Sequence, residues 1–116
     1  MEKGDRFQAH LVNITDASSV KPALLNLYQD QFIAKASYNA YVYTFKNHNH
    51  KCMDFDDDGE TGITRQLRQC LNNYKLDNVM LVLTGWKMGR ISQAEKTKLI
   101  EKCIKDTLKK AKKLSK

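Results

Sequence analysis

The stretch "VMLVL", Val79–Leu83, is an unbroken run of five apolar residues. A run of this kind is typical of a strand that is covered on both faces, or that lies in the middle of a sheet. We therefore take it as the central strand of the fold and ask which elements surround it.

Strand and helix patterns alternate on either side of this run. Strands are predicted at "RFQAHLVNI" (6–14), at "AYVYTF" (40–45) and, after the polar turn "NHNHK" (47–51), at "CMDF" (52–55). Helices are predicted from Ser18 or Ser19, from Ile63 to Tyr74, and after Gly89. The order β-α-β-(β)-α-β-α predicts an α+β fold, a two-layer sandwich in which helices pack on one sheet.

Length and composition set the class of protein. A chain of 116 residues with 41% hydrophobic residues fits one domain, residues 1–116. No apolar run approaches the roughly 18 residues that a membrane span requires, and "MEKGDRFQAH" lacks the apolar segment of a signal peptide. The three cysteines have no Cys-x-x-Cys spacing, which indicates free thiols. We expect a cytoplasmic protein with no membrane partner.

The net charge of +7 lies in the C-terminal segment. Residues 96–116 hold nine lysines against Glu101 and Asp106, whereas residues 1–95 hold eleven basic and eleven acidic residues. The body of the protein is therefore balanced in charge.

That segment has the pattern of an amphipathic helix, about residues 92–114. "SQAE" (92–95) has the form of a capping box, and an apolar stripe containing Leu99, Ile100, Ile104 and Leu108 follows it. A lysine face lies opposite and consists of Lys98, Lys102, Lys105, Lys109 and Lys112. Two interpretations stay open: a solvated face that keeps the protein soluble, or a surface that contacts RNA, the ribosome or an acidic protein.

The acidic stretch "DFDDDGETGITRQ" (54–66) resembles a calcium loop at first sight. Asp54, Asp56 and Asp58 alternate, and Gly59 follows. The twelfth position of such a loop, however, is Arg65, where calcium needs a bidentate glutamate. We predict no metal site.

Two other interpretations of the acids remain. Asp58 and Glu60 could serve a hydrolase, but no nucleophile motif such as G-x-S-x-G supports them, so no catalytic residue and no cofactor are predicted. Alternatively, the acids complement the amides and dipole of the helix that begins at Ile63, Gly59 permits a turn with positive φ, and Arg65 or Arg68 offsets the repulsion. We then expect at least one acid to be buried and bonded to the backbone.

Four blocks of the sequence together resemble the Impact family, including its bacterial YigZ-type relatives. They are "RFQAHL", "AKASYNAYVYTF", "DDDGET" and "LDNVMLVLTGW", and Asp57-Asp58-Gly59-Glu60 matches the D-D-G-E signature of the family. The resemblance extends from about Arg6 to Cys103 and is closer to eukaryotic members. It implies a ribosomal-protein-S5-domain-2-like α+β fold.

The resemblance also implies a non-enzymatic regulatory or binding module in translational control. Eukaryotic members carry an RWD domain that binds the ribosome-associated activator of the starvation-sensing initiation-factor kinase, and they restrain the kinase by competing for that activator. They have also been linked to actin. The implied partners are thus a protein of translational control, RNA or the ribosome, and actin. Because the sequence has no RWD segment, we expect a fragment or a standalone version of the domain.

The resemblance makes Asn39, Asp57, Asp58, Glu60 and Trp86 the candidates for binding a ligand or partner. The sequence departs from the family nearby: "ASYN" (36–39) stands for A-T-H-N, and "GWKMG" (85–89) for R-W-Y-G-G. These changes remove an imidazole, an arginine and a glycine, and Lys87 and Arg90 are candidates to replace the charge. We expect a retained scaffold with a weakened ligand site, where Trp86 is either an aromatic at the site's edge or part of the core.

Overall fold

A computed structural model describes residues 5–47, 50–89 and 91–111 of the chain. Its four strands are β1 (Arg6–Asn13), β2 (Tyr38–Asn47), β3 (His50–Asp56) and β4 (Val79–Trp86). They form one antiparallel sheet in the order β1-β4-β2-β3. The apolar run Val79–Leu83 therefore lies in an inner strand, and its prediction as the central strand is confirmed.

In the described part of the chain, four helices accompany the sheet: α1 (Val20–Leu27), α2 (Gln31–Ala34), α3 (Ile63–Asn73) and α4 (Gln93–Lys110). A 3₁₀ turn, Ala17–Ser19, precedes α1. The predicted α+β class and element order are confirmed. The sequence did not indicate α2, because four residues are too few to show a helical period.

The main core lies between the sheet and the pair α3 and α4. Val79, Leu81 and Leu83 face these helices, because alternate residues of a strand point to the same side. Ile104 and Leu108 of α4 are fully buried against them. The sheet and the helices α3 and α4 thus form two packed layers, as expected from the sequence.

The opposite face of the sheet is partly covered as well. Met80 and Val82 are fully buried there, in a second cluster with Val20 of α1 and Phe45 of β2. Because β4 is covered from both sides, apolar residues are favourable at consecutive positions, which explains the unbroken run.

The N-terminus of α4 has the predicted cap. The Ser92 hydroxyl accepts the Glu95 amide at 3.1 Å, and it also lies 3.4 Å from the Glu95 carboxylate. Within the predicted apolar stripe Leu99 is the exception, with 42% of its surface exposed. The helix ends at Lys110 with Ala111 as its C-cap; residues 112–114 of the predicted helix lie outside the described residues.

Two further observations concern the class of protein. None of the helices in the described ranges is long and apolar enough to cross a membrane. Cys52, Cys70 and Cys103 are free thiols, as their spacing predicted.

Candidate functional site

The acidic turn, Asp56–Glu60, connects β3 to the segment that precedes α3. Asp58 (φ 50°) and Gly59 (φ 85°) adopt left-handed conformations, so the predicted turn with positive φ is confirmed at Gly59. The Asp56 carboxylate accepts the Asp58 amide at 2.9 Å, and the Asp57 carboxylate accepts the Gly59 amide at 3.0 Å. These local bonds are the ones by which aspartates stabilise turns. Asp56 and Asp57 therefore shape the loop.

Asp58 fastens the acidic turn to the sheet. Its Oδ2 accepts the backbone amide of Asn39, the second residue of β2, at 2.8 Å. A carboxylate that accepts a backbone amide is a charge-assisted hydrogen bond, one of the stronger kinds. The expected bond between one acid and the backbone is thus present, but the expected burial of that acid is wrong, because Asp58 is exposed.

The expectation that the acids cap α3 is wrong. The N-cap of α3 is Gly62 (φ 90°), which has no side chain to bond the helix amides, and the first turn of α3 contains no acid. The acids bond instead to the amides of their own turn, to β2 and to lysines. Arg68 does not offset the acidic charge by an ion pair either: its guanidinium lies 4.4 Å above the ring of Phe55.

Glu60 is held between two lysines. Its Oε1 lies 2.9 Å from Nζ of Lys87, and its Oε2 accepts a hydrogen bond from Nζ of Lys96 on α4. The side chains of Glu60 and Lys96 are only 12% and 15% exposed, whereas Lys87 is 57% exposed. Burial alone would raise the pKa of the Glu60 carboxyl, but hydrogen bonds and charge attraction from Lys96 and Lys87 outweigh burial and lower this pKa. Glu60 therefore connects the acidic turn to α4 and to the end of β4.

Tyr38 fills the space beneath these lysines. Its ring centroid lies 5.8 Å from Nζ of both Lys87 and Lys96, and its ring packs on Gly85, where a Cβ would lie 2.2 Å from Tyr38 Cζ. The phenol is buried and its hydroxyl has no hydrogen-bond partner. Burial, with the negative charge of Glu60, raises the pKa of Tyr38. A neutral phenol thus occupies the position where the family resemblance leads one to expect an imidazole.

Asn39 points to the other face of the sheet, because neighbouring residues of a strand face opposite sides. It is buried; its amide group donates to the Ile33 carbonyl at 3.0 Å, and its oxygen accepts the Thr84 hydroxyl at 2.7 Å. These bonds join β2, β4 and α2. Asn39 therefore holds elements together from within the protein.

Trp86 lies on the same face as Asn39 and is half-buried. Its ring stacks on Phe32 of α2 with centroids 5.0 Å apart, and its indole N–H donates to the Phe32 carbonyl at 3.2 Å. Phe32 is 59% exposed. The pair is a fixed aromatic surface at the end of β4, an inner strand of the sheet.

The sheet thus separates the candidates that the resemblance grouped together. Glu60 lies on the face of α3 and α4, Asn39 and Trp86 lie on the opposite face, and the acidic turn crosses the end of the sheet between them. Among the described residues, no group of three or more His, Cys, Asp or Glu side chains is placed to hold a metal ion.

The lysine face is exposed along α4. Lys98, Lys102, Lys105 and Lys109 all reach solvent, and Lys105 lies 3.6 Å from the Glu101 carboxylate. Lys112 and Arg90 lie outside the described residues.

Three residues that contribute to the site were not predicted from the sequence. Lys96 was counted with the lysines of the last helix, although its position does not follow the spacing of the lysine face. Phe32 belongs to the short helix that no period revealed. Asp5, which accepts the Met88 amide at 3.2 Å, lies before the first strand in a segment without a motif.

Replacing Glu60 by glutamine is expected to lower the free energy of unfolding at neutral pH by about 1 kcal/mol, because Lys96 loses its partner in a partly buried position. Since folding lowers the pKa of Glu60, its contribution is complete above the ordinary value near 4.5 and disappears as the pH falls through the folded-state pKa. In urea unfolding at several pH values, the difference in free energy of unfolding between the parent and Glu60→Gln should therefore be smaller at acid pH than at neutral pH. Glu101→Gln, at an exposed pair, is the matched control; an equal effect of both changes would contradict this role.

Comparison with known proteins gives a consistent picture. The family model described as the Impact N-terminal domain matches residues 3–108. The proteins named Protein IMPACT from Xenopus laevis, Rattus norvegicus and Homo sapiens are each 30% identical to the chain over 109 residues. These alignments cover 92% of the chain and 34–35% of the relatives, so the chain spans about a third of their length.

The solved structure of the two-domain translational regulator Yih1 is similar in fold. It superposes with a TM-score of 0.62 at 24% sequence identity, covering 95% of this chain and 43% of that protein. At this level of identity the similarity concerns the fold alone.

Proposed function

The chain belongs to the Impact family, and on that basis we propose that it is a non-enzymatic regulatory module that binds a protein partner in translational control. Membership supports the regulatory class, and Yih1, which shares the fold, is described as a translational regulator. The link to starvation-kinase signalling follows from the family resemblance.

The acids form hydrogen bonds and ion pairs within the protein, which supports a binding function over catalysis. A general acid or base must reach the proton it transfers in a bound substrate. Here the carboxylates of Asp58 and Glu60 bond to the Asn39 amide and to two lysines. Phosphatase and nuclease assays with added magnesium check this point: turnover that disappears in Asp58→Asn would contradict the proposal.

The surface best suited to a protein partner is the Trp86–Phe32 pair beside the acidic turn. Aromatic side chains are over-represented among the residues that dominate binding energy at interfaces. The hydrogen bond to the Phe32 carbonyl keeps Trp86 in place, so that little order would have to be gained on binding. Asn39 then supports this surface from behind through its bond to the Ile33 carbonyl of α2, and Asp58 fastens the acidic turn to the same residue of β2.

Affinity capture from lysate with the full chain tests the proposal. We expect recovery of ribosome-associated or translation-control proteins, and at least a tenfold loss of the captured partner on Phe32→Ala, the order expected for a dominant interface aromatic. Leu25→Ala, at another exposed apolar residue, is the matched control. Recovery of no such protein, or equal capture by Phe32→Ala, would count against the proposal.

A second candidate function is RNA or ribosome binding through the lysine face. It is favoured by one observation: four lysines of α4 reach solvent on one side, in the segment that holds the whole net charge. For actin, the other partner implied by the resemblance, the described residues show no comparable feature.

Binding of RNA at this face would depend steeply on salt, because each neutralised phosphate releases counterions. We expect Lys102→Glu with Lys109→Glu to weaken RNA retardation and to lower the slope of log affinity against log salt by about two. The control is Lys21→Glu with Lys35→Glu, which changes the net charge by the same amount at positions outside α4 and should leave the slope unchanged. An unchanged slope in the α4 variant would remove this candidate.

A further inference from the structure

The outer edge of β3 is open in the described part of the protein. β3 is the last strand of the sheet and pairs only with β2, and six of its seven residues are exposed. Two of them are large and apolar: Met53 is 37% and Phe55 is 43% exposed. An exposed edge strand with apolar side chains offers backbone and side chains for pairing with another strand.

The strand at the other edge of the sheet, β1, lies against α4. The Thr107 hydroxyl of α4, which bonds the Cys103 carbonyl of its own helix at 3.0 Å, also lies 3.4 Å from the Ala9 carbonyl. The outward carbonyl of Ala9 is therefore covered by α4. For β3, no helix side chain makes a hydrogen bond to the strand backbone among the described residues.

One hydrogen bond shows which backbone groups of β3 face outward. The Phe55 amide donates to the carboxylate of its neighbour Asp54 at 2.8 Å and so does not bond to β2. In an antiparallel pair, residues alternate between those that bond the neighbouring strand and those that do not. The amides and carbonyls of Lys51, Met53 and Phe55 therefore point away from the sheet, and Asp54 covers one of them.

We propose that this edge pairs with β3 of a second copy of the chain, antiparallel and about a two-fold axis at Met53. Two four-stranded sheets then become one sheet of eight strands. In this register the whole strand His50–Asp56 pairs with itself: Met53 lies opposite Met53, and Lys51 lies opposite Phe55 of the second copy. The outward residues of one copy thus meet the outward residues of the other, as antiparallel hydrogen bonding requires.

The side chains fit this register on both faces. On one face, His50 lies opposite Asp56 and Cys52 opposite Asp54, so that no like charges lie directly opposite each other. On the other face, Met53 and Phe55 of both copies come together and lose apolar surface to one another. A register shifted by one pair would set Asp54 against Asp54, and like charges directly opposite each other are destabilising.

Two cations lie on this face of β3, and each already has a contact within its own copy: the guanidinium of Arg68 lies 4.4 Å from the centre of the Phe55 ring. The ammonium of Lys51 lies 3.5 Å from the carboxylate of Asp77 in the same copy. Only the bond between Asp54 and the Phe55 amide has to be exchanged for a bond to the second copy. This self-complementarity is the reason to assign the edge to a second copy rather than to a strand of another protein.

Sedimentation velocity of the full chain over a range of concentrations tests the proposal. We expect a reversible equilibrium of monomer and dimer. Met53→Lys places two ammonium groups opposite each other at the axis and should lower the association constant about tenfold or more. Leu25→Lys, which changes an exposed apolar residue of α1, should leave it unchanged. Circular dichroism confirms that both variants fold, as expected for exposed positions.

Cysteine cross-linking tests the register independently. In a Cys52→Ser background, Met53→Cys should form a disulfide-linked dimer under mild oxidation, because facing residues have Cα atoms about 5.5 Å apart. Lys51→Cys should not, since two copies of that residue are separated by four residues along the strand, or about 14 Å. A monomer at every concentration, a dimer that persists in Met53→Lys, or equal cross-linking from both positions would overturn the proposal.

Discussion

Replacing Gly85 by alanine is expected to lower the free energy of unfolding by about 3 kcal/mol, the upper end of the usual cost of overpacking. A Cβ at Gly85 would lie 2.2 Å from Cζ and 2.4 Å from the hydroxyl oxygen of Tyr38, far inside contact distance. The ring has little room to retreat, because Lys87 and Lys96 cover it and the residue is buried. Urea unfolding of the variant measures the loss.

The cause can be isolated in a second background. Tyr38→Leu removes the distal ring atoms that a Cβ at Gly85 would meet but retains an apolar side chain in β2. There, Gly85→Ala should cost less than about 1 kcal/mol, so that the two changes are strongly non-additive. An equal cost in both backgrounds would show that the glycine is needed for the strand itself and not for the close approach of the phenol.

Replacing Asn39 by alanine is expected to cost about 3 kcal/mol as well, through lost hydrogen bonds rather than through overpacking. The Thr84 hydroxyl and the Ile33 carbonyl would each lose a partner, and a buried polar group without a partner costs about 1–3 kcal/mol. Since Asn39 joins β2 to α2, the change should also release Phe32 from Trp86. Chemical denaturation measures the first effect, and the emission of Trp86, the only tryptophan of the chain, reports the second.

A double variant separates lost bonds from lost packing. Adding Thr84→Val to Asn39→Ala removes the hydroxyl that had been left without a partner, so that the pair should cost about 1–2 kcal/mol less than the sum of the single changes. Strict additivity would contradict the assigned role of Asn39, and so would an unchanged emission maximum of Trp86.

These predictions bear on how the candidate site is understood. Tyr38 and Gly85 interlock on one face of the sheet, while Asn39 and Thr84 bond on the other. Adjacent residues of β2 and of β4 thus support opposite faces at the same end of the sheet. The acidic turn ties the two sides together through Asp58 and Glu60.

The period of the apolar residues was enough to determine the strands, the longer helices and their order. A strand covered on both faces needs apolar residues at consecutive positions, and Val79–Leu83 has them; an amphipathic helix needs a stripe, and α4 has one. The capping box at Ser92 is also local, since its partners lie three residues apart. Each of these patterns depends on neighbours in the chain, which is why it can be read without coordinates.

The partners of the acids were decided by the tertiary structure alone. Glu60 meets Lys96 36 positions later in the chain, and Asp58 meets the amide of Asn39 19 positions earlier. From the sequence, the amides of α3 were the expected partners of the acids. In the assembled fold, Lys96 and the Asn39 amide lie closer to the carboxylates than those amides do. Likewise, the position of α4 decides whether an outer strand of the sheet is covered, as β1 is at Ala9, or open, as β3 is at Met53. The sequence pattern of a strand contains no information about which distant elements pack beside it.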